Sequence, residues 1–211
     1  MTIPEKTVER LSEYRRSLVE CLDEGITHIF SHVLAGMHGI TAVQVRRDLM
    51  LIGFSSDTKK GYDVRVLADF ISSILDAPAP MNVAVIGMGH LGQAITKYFN
   101  GKSSKLTIVA AFDIDPAKVG RPIDGVMCYD MAAFEERVEE LDINLVVLSS
   151  PTDVAGELVL PIINAGIKGV LNFTSKPLNF PRGIVVENYD ITTLLEKVAY
   201  FVKEGESNED A

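Results

Sequence analysis

Apolar residues recur at helical spacing through the first third of the chain and gather into short uninterrupted runs through the rest, the two regimes meeting at Asp76-Ala77-Pro78-Ala79-Pro80. Proline has no amide donor and cannot continue a helix, so this stretch reads as a linker between a first domain, 1–77, and a second, 81–203. Val8, Leu11, Leu18, Val19 and Leu22 fall near one face of a helix predicted to begin at Pro4 and stop at Gly25. Ser31 is expected to cap a short second helix ending around Gly36 to Gly39. Thr41-Ala42-Val43-Gln44 has the form of a capping box that opens a third helix, closed by Gly53. Two short helices around a glycine-containing turn are the sequence form of a helix-turn-helix, whose later helix fills a major groove. Residues 54–62 read as a turn-rich hairpin in the position of a wing, and Val64, Leu67, Ala68, Ile71 and Leu75 predict a further amphipathic helix.

After the linker, Asn82-Val83-Ala84-Val85-Ile86 is a charge-free β-branched run, as a parallel strand buried on both faces requires. Gly87-Met88-Gly89-His90-Leu91-Gly92 follows at once and leads into a helical segment, Leu91 to Phe99, which is the context that gives a GxGxxG its meaning. Gly87 permits a tight turn, Gly89 lets backbone approach a pyrophosphate, Gly92 lets helix and strand pack closely, and the helix N-terminus offers N–H groups to the phosphates. A second strand, Leu106 to Phe112, ends at Asp113, where a carboxylate can accept hydrogen bonds from adenosine ribose hydroxyls and disfavours NADP(H). Asp115-Pro116 beside it is read as turn chemistry. Strands at Leu145 to Leu148 and Gly169 to Phe173 continue the alternation of a doubly wound α/β sheet. Ser149-Ser150-Pro151 and Asn172-Phe173 lie at their carboxyl ends, so Ser149, Pro151 and Asn172 are candidates for a nicotinamide pocket, with ordinary loop turning as the alternative. A last helix, about Asp190 to Val202, carries Leu194, Leu195, Val198 and Phe201 and should pack against something, another subunit included. Residues 204–211 read as an acidic disordered tail.

Charge changes this picture in one respect. The chain of 211 residues has a net charge of −9, which argues against nucleic acid, yet residues 1–75 hold nine Lys/Arg against ten Asp/Glu, so the acidity belongs mainly to the second domain. Arg46 and Arg47 near the start of the third helix, with Lys59 and Lys60 at the wing tip, stand where cations neutralise DNA phosphates, although solvated surface charge is the alternative reading. Cys21 and Cys128 form no CxxC pair, and the four histidines match no zinc spacing, so no metal is expected. No signal peptide or membrane-length apolar run is present, and the expected compartment is the cytoplasm.

Several segments together resemble one family, the bacterial redox-sensing repressors called Rex: Ile3-Pro4-Glu5 with Arg10-Leu11, Gln44-Val45-Arg46-Arg47-Asp48-Leu49, the 87–92 glycine loop, Phe112-Asp113-Ile114-Asp115-Pro116, Ala165 to Phe173, and Val186-Glu187-Asn188-Tyr189-Asp190. The resemblance covers nearly the whole chain. It implies an N-terminal winged helix, a C-terminal Rossmann domain binding NADH and NAD⁺, a homodimer with a swapped C-terminal helix, and double-stranded operator DNA released when NADH replaces NAD⁺. It also implies that Gln44 joins the DNA-contacting set, and that Arg16, Tyr98 and Asp190 couple the nicotinamide to the DNA-binding domain, Tyr98 and Asp190 near the cofactor. The chain departs from the family pattern at the wing, Asp57-Thr58-Lys59-Lys60-Gly61-Tyr62, where a glycine is missing, and at Thr174-Ser175-Lys176, where Ala-Pro is usual. The other readings of the same residues are an NAD-dependent oxidoreductase, disfavoured by the lack of an obvious general acid/base, and a nucleotide- or CoA-binding module without DNA activity.

Overall fold

Proline at position 4 sets the first turn: its carbonyl accepts the Thr7 and Val8 amides at 2.9 and 3.1 Å and starts helix α1 (Glu5–Asp23). At the other end, Gly25 in a left-handed conformation lets the Ile26 amide reach back to the Cys21 carbonyl at 2.8 Å. The computed structural model describes residues 3–55, 60–99 and 105–209, with backbone alone for 204–209. It divides into two units, Met1–Pro78 and Ala79–Ala211.

In the first unit α1 is followed by β1 (His28–Ile29), α2 (Ser31–Met37), α3 (Ala42–Leu51), β2 (Tyr62–Asp63) and α4 (Val64–Leu75). Leu11, Tyr14 and Leu18 of α1 pack with Leu34, Val45, Leu49, Leu67 and Ile71, one from nearly every turn that faces inward, into one apolar core. One expectation needs correction. Ser31 is the first helical residue and caps nothing; Phe30 holds the cap position, and the Ser31 hydroxyl instead accepts from the Arg46 guanidinium at 3.0 Å. Of the hairpin expected over 54–62, residues 56–59 lie outside the described residues; at its far end β2 pairs antiparallel with β1, which lies before α2. A two-residue strand carries too little alternation to be seen in sequence, and its partner is remote.

The second unit is a seven-stranded sheet. Its elements are β3 (Met81–Ile86), α5 (His90–Phe99), β4 (Leu106–Asp113), β5 (Arg121–Ile123), β6 (Val126–Asp130), α6 (Phe134–Glu140), β7 (Ile143–Leu148), α7 (Val159–Asn164), β8 (Gly169–Asn172), β9 (Val185–Asn188) and α8 (Ile191–Glu209). The strand order is β5-β6-β4-β3-β7-β8-β9, parallel throughout except where β5 meets β6. The order reverses at β3: β4 lies on one side and β7 on the other, which is where open parallel sheets take ligands. Side chains alternate as strands demand: Ala84, Ile86, Ala110, Phe112 and Val146 face Phe134, Val138 and Ile162 of α6 and α7, whereas Val83, Val85, Ala111 and Val147 face the other way, toward Met88 and Ile95.

On that second face an apolar groove of about 850 Å³ remains open, lined by Met81, Ile95, Leu106, Leu145, Leu171 and Val185 among others. Helix α8 leaves every side chain from Ile191 to Lys203 exposed. Its backbone stays helical through Glu209, so residues 204–209 of the tail expected to be disordered continue the helix, while 210 and 211 lie outside the described residues. Phe112 is fully buried, edge-on to Phe134 at 5.0 Å between ring centres. Phe112→Ala should therefore lower the stability of the sheet unit by about 3–5 kcal/mol in chemical denaturation, while the transition of the helical unit stays in place.

Candidate nucleotide site and nucleic-acid interface

The crevice at the end of β3 is built by backbone crossing backbone. Gly87, at φ +92°, donates its amide to the Phe112 carbonyl at 2.8 Å, and the Ser149 amide donates to the Ile86 carbonyl at 2.9 Å, tying the turn to β4 and β7 together. The Ser149 hydroxyl donates to the Gly87 carbonyl at 2.8 Å. A Cβ on Gly92 would lie 2.1 Å from that same carbonyl oxygen, and one on Gly87 would lie 2.7 Å from the Ser150 amide nitrogen, so neither position admits a side chain. Above Gly89 there is open space instead. Gly89 and His90 are exposed at the start of α5, where amide groups and the helix dipole favour a phosphate. The Ser150 hydroxyl beside this turn is buried with no hydrogen-bond partner. Open backbone over a helix N-terminus and an unsatisfied hydroxyl fit the pyrophosphate of a dinucleotide.

Of the residues in this loop, Met88 takes a different part from the one expected. Its side chain is fully buried in the core and its amide donates to Asp113 Oδ2 at 2.8 Å, so it shapes the site without facing it. Leu91 is half-buried in the first turn of α5. Asp113 closes the crevice on the β4 side and accepts two further bonds, from the Asp115 amide and the Lys118 ammonium, both at 2.9 Å. An ionised carboxylate has about four acceptor positions, so one stays available to a ribose hydroxyl. Burial alone would raise the Asp113 carboxyl, but the Asp115 amide, Lys118 and the Met88 amide hold it below the ordinary carboxylate range. Lys118 escaped the sequence reading. The Asx turn in which Ala117 N–H meets Asp115 Oδ1 at 2.9 Å brings it back over Asp113, and its spacing after Asp115-Pro116 was the available signal.

Farther along the sheet edge the assignments divide. Pro151 is exposed beyond Ser149 and Ser150. Asn172 is fully buried and its amide is fully engaged: Nδ2 donates to the Lys176 carbonyl and to Asn188 Oδ1 at 3.0 and 2.8 Å, while Oδ1 accepts from the Thr174 amide and hydroxyl at 3.0 and 2.7 Å. Asn172 thus folds the 172–176 loop instead of lining a pocket, and Thr174, a departure from the family pattern, is part of that lock. Asp190 is half-buried, not buried, and serves as the cap of α8, accepting from the Thr192 amide and the Thr193 hydroxyl at 3.0 and 2.9 Å. Tyr98, on α5, and Arg16, on α1, are exposed. Among the described residues no His, Cys, Asp and Glu set is grouped to hold a metal ion, and no helix is long and apolar enough to cross a membrane.

In the first unit α3 turns Val43, Arg46, Arg47 and Met50 outward in one stripe. Thr41 caps the helix by accepting the Gln44 amide at 3.2 Å, but the Gln44 side chain does not complete the capping box. Its Nε2 donates to Asp48 Oδ1 at 3.0 Å, so the Gln44 side chain braces the same helix. Asp48, 2% exposed, also receives Arg10 through two 2.7 Å bonds and the Tyr14 hydroxyl at 2.9 Å, locking α3 to α1. Burial opposes ionisation of Asp48, yet the bonds from Arg10, Tyr14 and Gln44 hold its carboxyl below the usual range. Lys60 is exposed; Lys59 lies outside the described residues.

A sheet whose switch point carries a dinucleotide-type glycine turn, joined in one chain to a helix-turn-helix unit with a basic outer stripe, defines a nucleotide-responsive DNA-binding protein by fold. Family profiles described as "Putative DNA-binding protein N-terminus" and "CoA binding domain" match residues 2–49 and 79–176. The redox-sensing transcriptional repressor Rex of Leuconostoc citreum is 38% identical over 95% of this chain and 93% of its own length, and that of Lactobacillus gasseri is 34% identical over 95% and 94%. The crystal structure of the repressor RSP with NAD⁺ and operator DNA superposes with a TM-score of 0.89 at 30% identity, covering 100% of this chain and 97% of that one. RSP with NADH gives 0.86, covering 100% and 99%. The chain belongs to the Rex family of redox-sensing transcriptional repressors.

Two outcomes follow from this geometry. Gly92→Ala should cost the sheet unit about 1–3 kcal/mol and weaken dinucleotide binding in a fluorescence titration, because the turn must open to admit the methyl group. For Asp48 the depressed carboxyl means that its stabilisation is present above the unfolded value of about 3.9 and is lost as pH falls through the folded value. Asp48→Asn should remove that part of the acid sensitivity of the helical unit, measured by circular dichroism between neutral pH and the acid transition, and lower its stability by up to about 3–5 kcal/mol.

Proposed function

We propose that this protein is a transcriptional repressor that senses the NADH/NAD⁺ ratio in the cytoplasm, binding double-stranded operator DNA as a homodimer and releasing it when NADH binds. The observation that carries this reading is the presence in one chain of a basic recognition stripe and an Asp113-closed glycine turn, matched end to end by a relative solved with both NAD⁺ and operator DNA. Gly87, Gly89, His90 and Gly92 receive the pyrophosphate, Asp113 with Lys118 the adenosine ribose, and Ser149, Pro151 and Tyr98 the approach to the nicotinamide. Arg46, Arg47, Lys59 and Lys60 meet DNA phosphates and base edges. NAD(H) acts here as a signal: the two forms differ by one positive charge on the nicotinamide ring, and a carboxylate near that ring responds to the charge by changing partners. Asp190 is the carboxylate that the family resemblance puts in this role, with Arg16 and Tyr98 as the further residues of the coupling. Since Asp190 also caps α8, a change of its partners acts on the entry of that helix.

Dimerisation supplies what the single chain leaves undone. The apolar side of α8, with Leu194, Leu195, Val198 and Phe201 between 49% and 65% exposed, is costly in water, and the open groove on the sheet is of complementary character. Exchange of α8 between subunits buries both, and rotation of the subunits then changes the spacing of the two recognition helices against the operator.

The test is a titration of the purified protein on a palindromic duplex selected by it from a random pool. NADH at micromolar to millimolar concentration should release the duplex, and NAD⁺ should not, with CoA as the control nucleotide. Binding that responds to neither form of the dinucleotide disproves the sensor reading, and turnover of NADH with small aldehydes or hydroxy acids supports the oxidoreductase instead. Asp113→Ala should weaken NADH binding and raise the NADH concentration needed for release, with the selected duplex still bound in the absence of NADH.

A further inference from the structure

The outer stripe of α3 is mixed in chemistry, and the two arginines account for half of it. Val43 and Met50, 47% and 73% exposed, bracket Arg46 and Arg47 at the i, i+3, i+4 and i+7 positions of one helix face. Among the described residues of this unit they are not part of the core, which is complete without them: the inward face of α3 is supplied by Val45 and Leu49. An isolated helix surface gains nothing from two apolar side chains in water beside two cations. A DNA major groove, by contrast, presents exactly one kind of apolar group, the C5 methyl of thymine, beside the acceptor edges that arginine prefers.

The arrangement also has a fixed geometry. Asp48 locks α3 to α1, and the Ser31 hydroxyl holds Arg46 Nη1 at 3.0 Å, so the stripe is presented by a braced helix with one guanidinium already oriented. Two helical turns separate Val43 from Met50, about 10 Å along the axis. That span matches about three base steps of 3.4 Å each along one strand. Resting on the operator-binding reading above, we infer that Val43 and Met50 are specificity-determining residues that read thymine methyl groups about three base steps apart, on either side of the base edges met by Arg46 and Arg47. The arginines select the acceptor-rich pairs between, and the two apolar side chains fix the register of the helix along the groove by excluding cytosine, which has no methyl.

Deoxyuridine replaces thymine without the methyl and leaves base pairing intact, so it isolates the contact. The experiment uses the full-length protein and the duplex it selects from a random pool, with each thymine of one half-site replaced in turn by deoxyuridine and affinity measured by anisotropy. Two positions about three steps apart should each lose about fourfold in affinity, the effect of leaving one methyl group in water. Val43→Ala should abolish the sensitivity at one position and Met50→Ala at the other, each variant keeping its response to NADH and its thermal stability. Tight binding that is indifferent to every methyl, or a methyl effect that survives both substitutions, overturns the assignment and leaves the stripe to a protein partner, with the operator reading intact. Failure to select any duplex removes the operator reading and this inference with it.

Discussion

The sheet unit depends on one close approach: the carbonyl oxygen of Gly87 lies where a Cβ on Gly92 would be, and the Ser149 hydroxyl bonds to that oxygen from the neighbouring strand. Contact this tight between strand end and helix brings the first amides of α5 to the mouth of the crevice and leaves Gly89 open above them. It also explains the reversal of strand order as a site and not merely a topology. β3 pairs with β4 and β7, and both neighbours hydrogen-bond to the same turn, through Phe112 and Ser149. Any change that pushes helix and strand apart disturbs the first amides of α5, the Asp113 contact to the Met88 amide and the packing of Met88 together.

Two carboxylates follow the same physical rule in the two units. Asp113 and Asp48 are both nearly buried, and in each the cost of removing a charge from water is offset by several donors, one of them cationic. Their purposes differ. Asp48 has all its capacity turned inward and joins α3 to α1 through Arg10 and Tyr14. Asp113 retains an acceptor position facing the crevice. Lys118 beside it lowers the local negative charge without removing the acceptor.

Helix α8 shows what a single chain leaves unfinished. Among the described residues its apolar side chains from Ile191 to Val202 stay exposed, and the groove on the sheet face stays open. Because Asp190 caps this helix with both carboxylate oxygens, the chemistry at its first turn and the fate of its apolar face are mechanically one element.

The sequence by itself determined the elements whose evidence is local: the long helices from their apolar spacing, the linker at 76–80 from its prolines, β3, β4, β7 and β8 from short charge-free runs, and the glycine turn from its position between strand and helix. It also marked Asp113, since an acid at the end of the strand that follows the glycine loop and its helix is a local pattern. Tertiary structure alone decided whatever rests on a remote partner. The pairing of β1 with β2, the engagement of Gln44 by Asp48 and of Ser31 by Arg46, the return of Lys118 to Asp113, and the locking of Asn172 by Thr174, Lys176 and Asn188 all depend on which donors and acceptors meet after the chain has folded. Polar side chains such as Gln44 and Asn172 are competent both to face a ligand and to brace a loop. Composition cannot separate the two, because burial decides whether their hydrogen bonds are already taken.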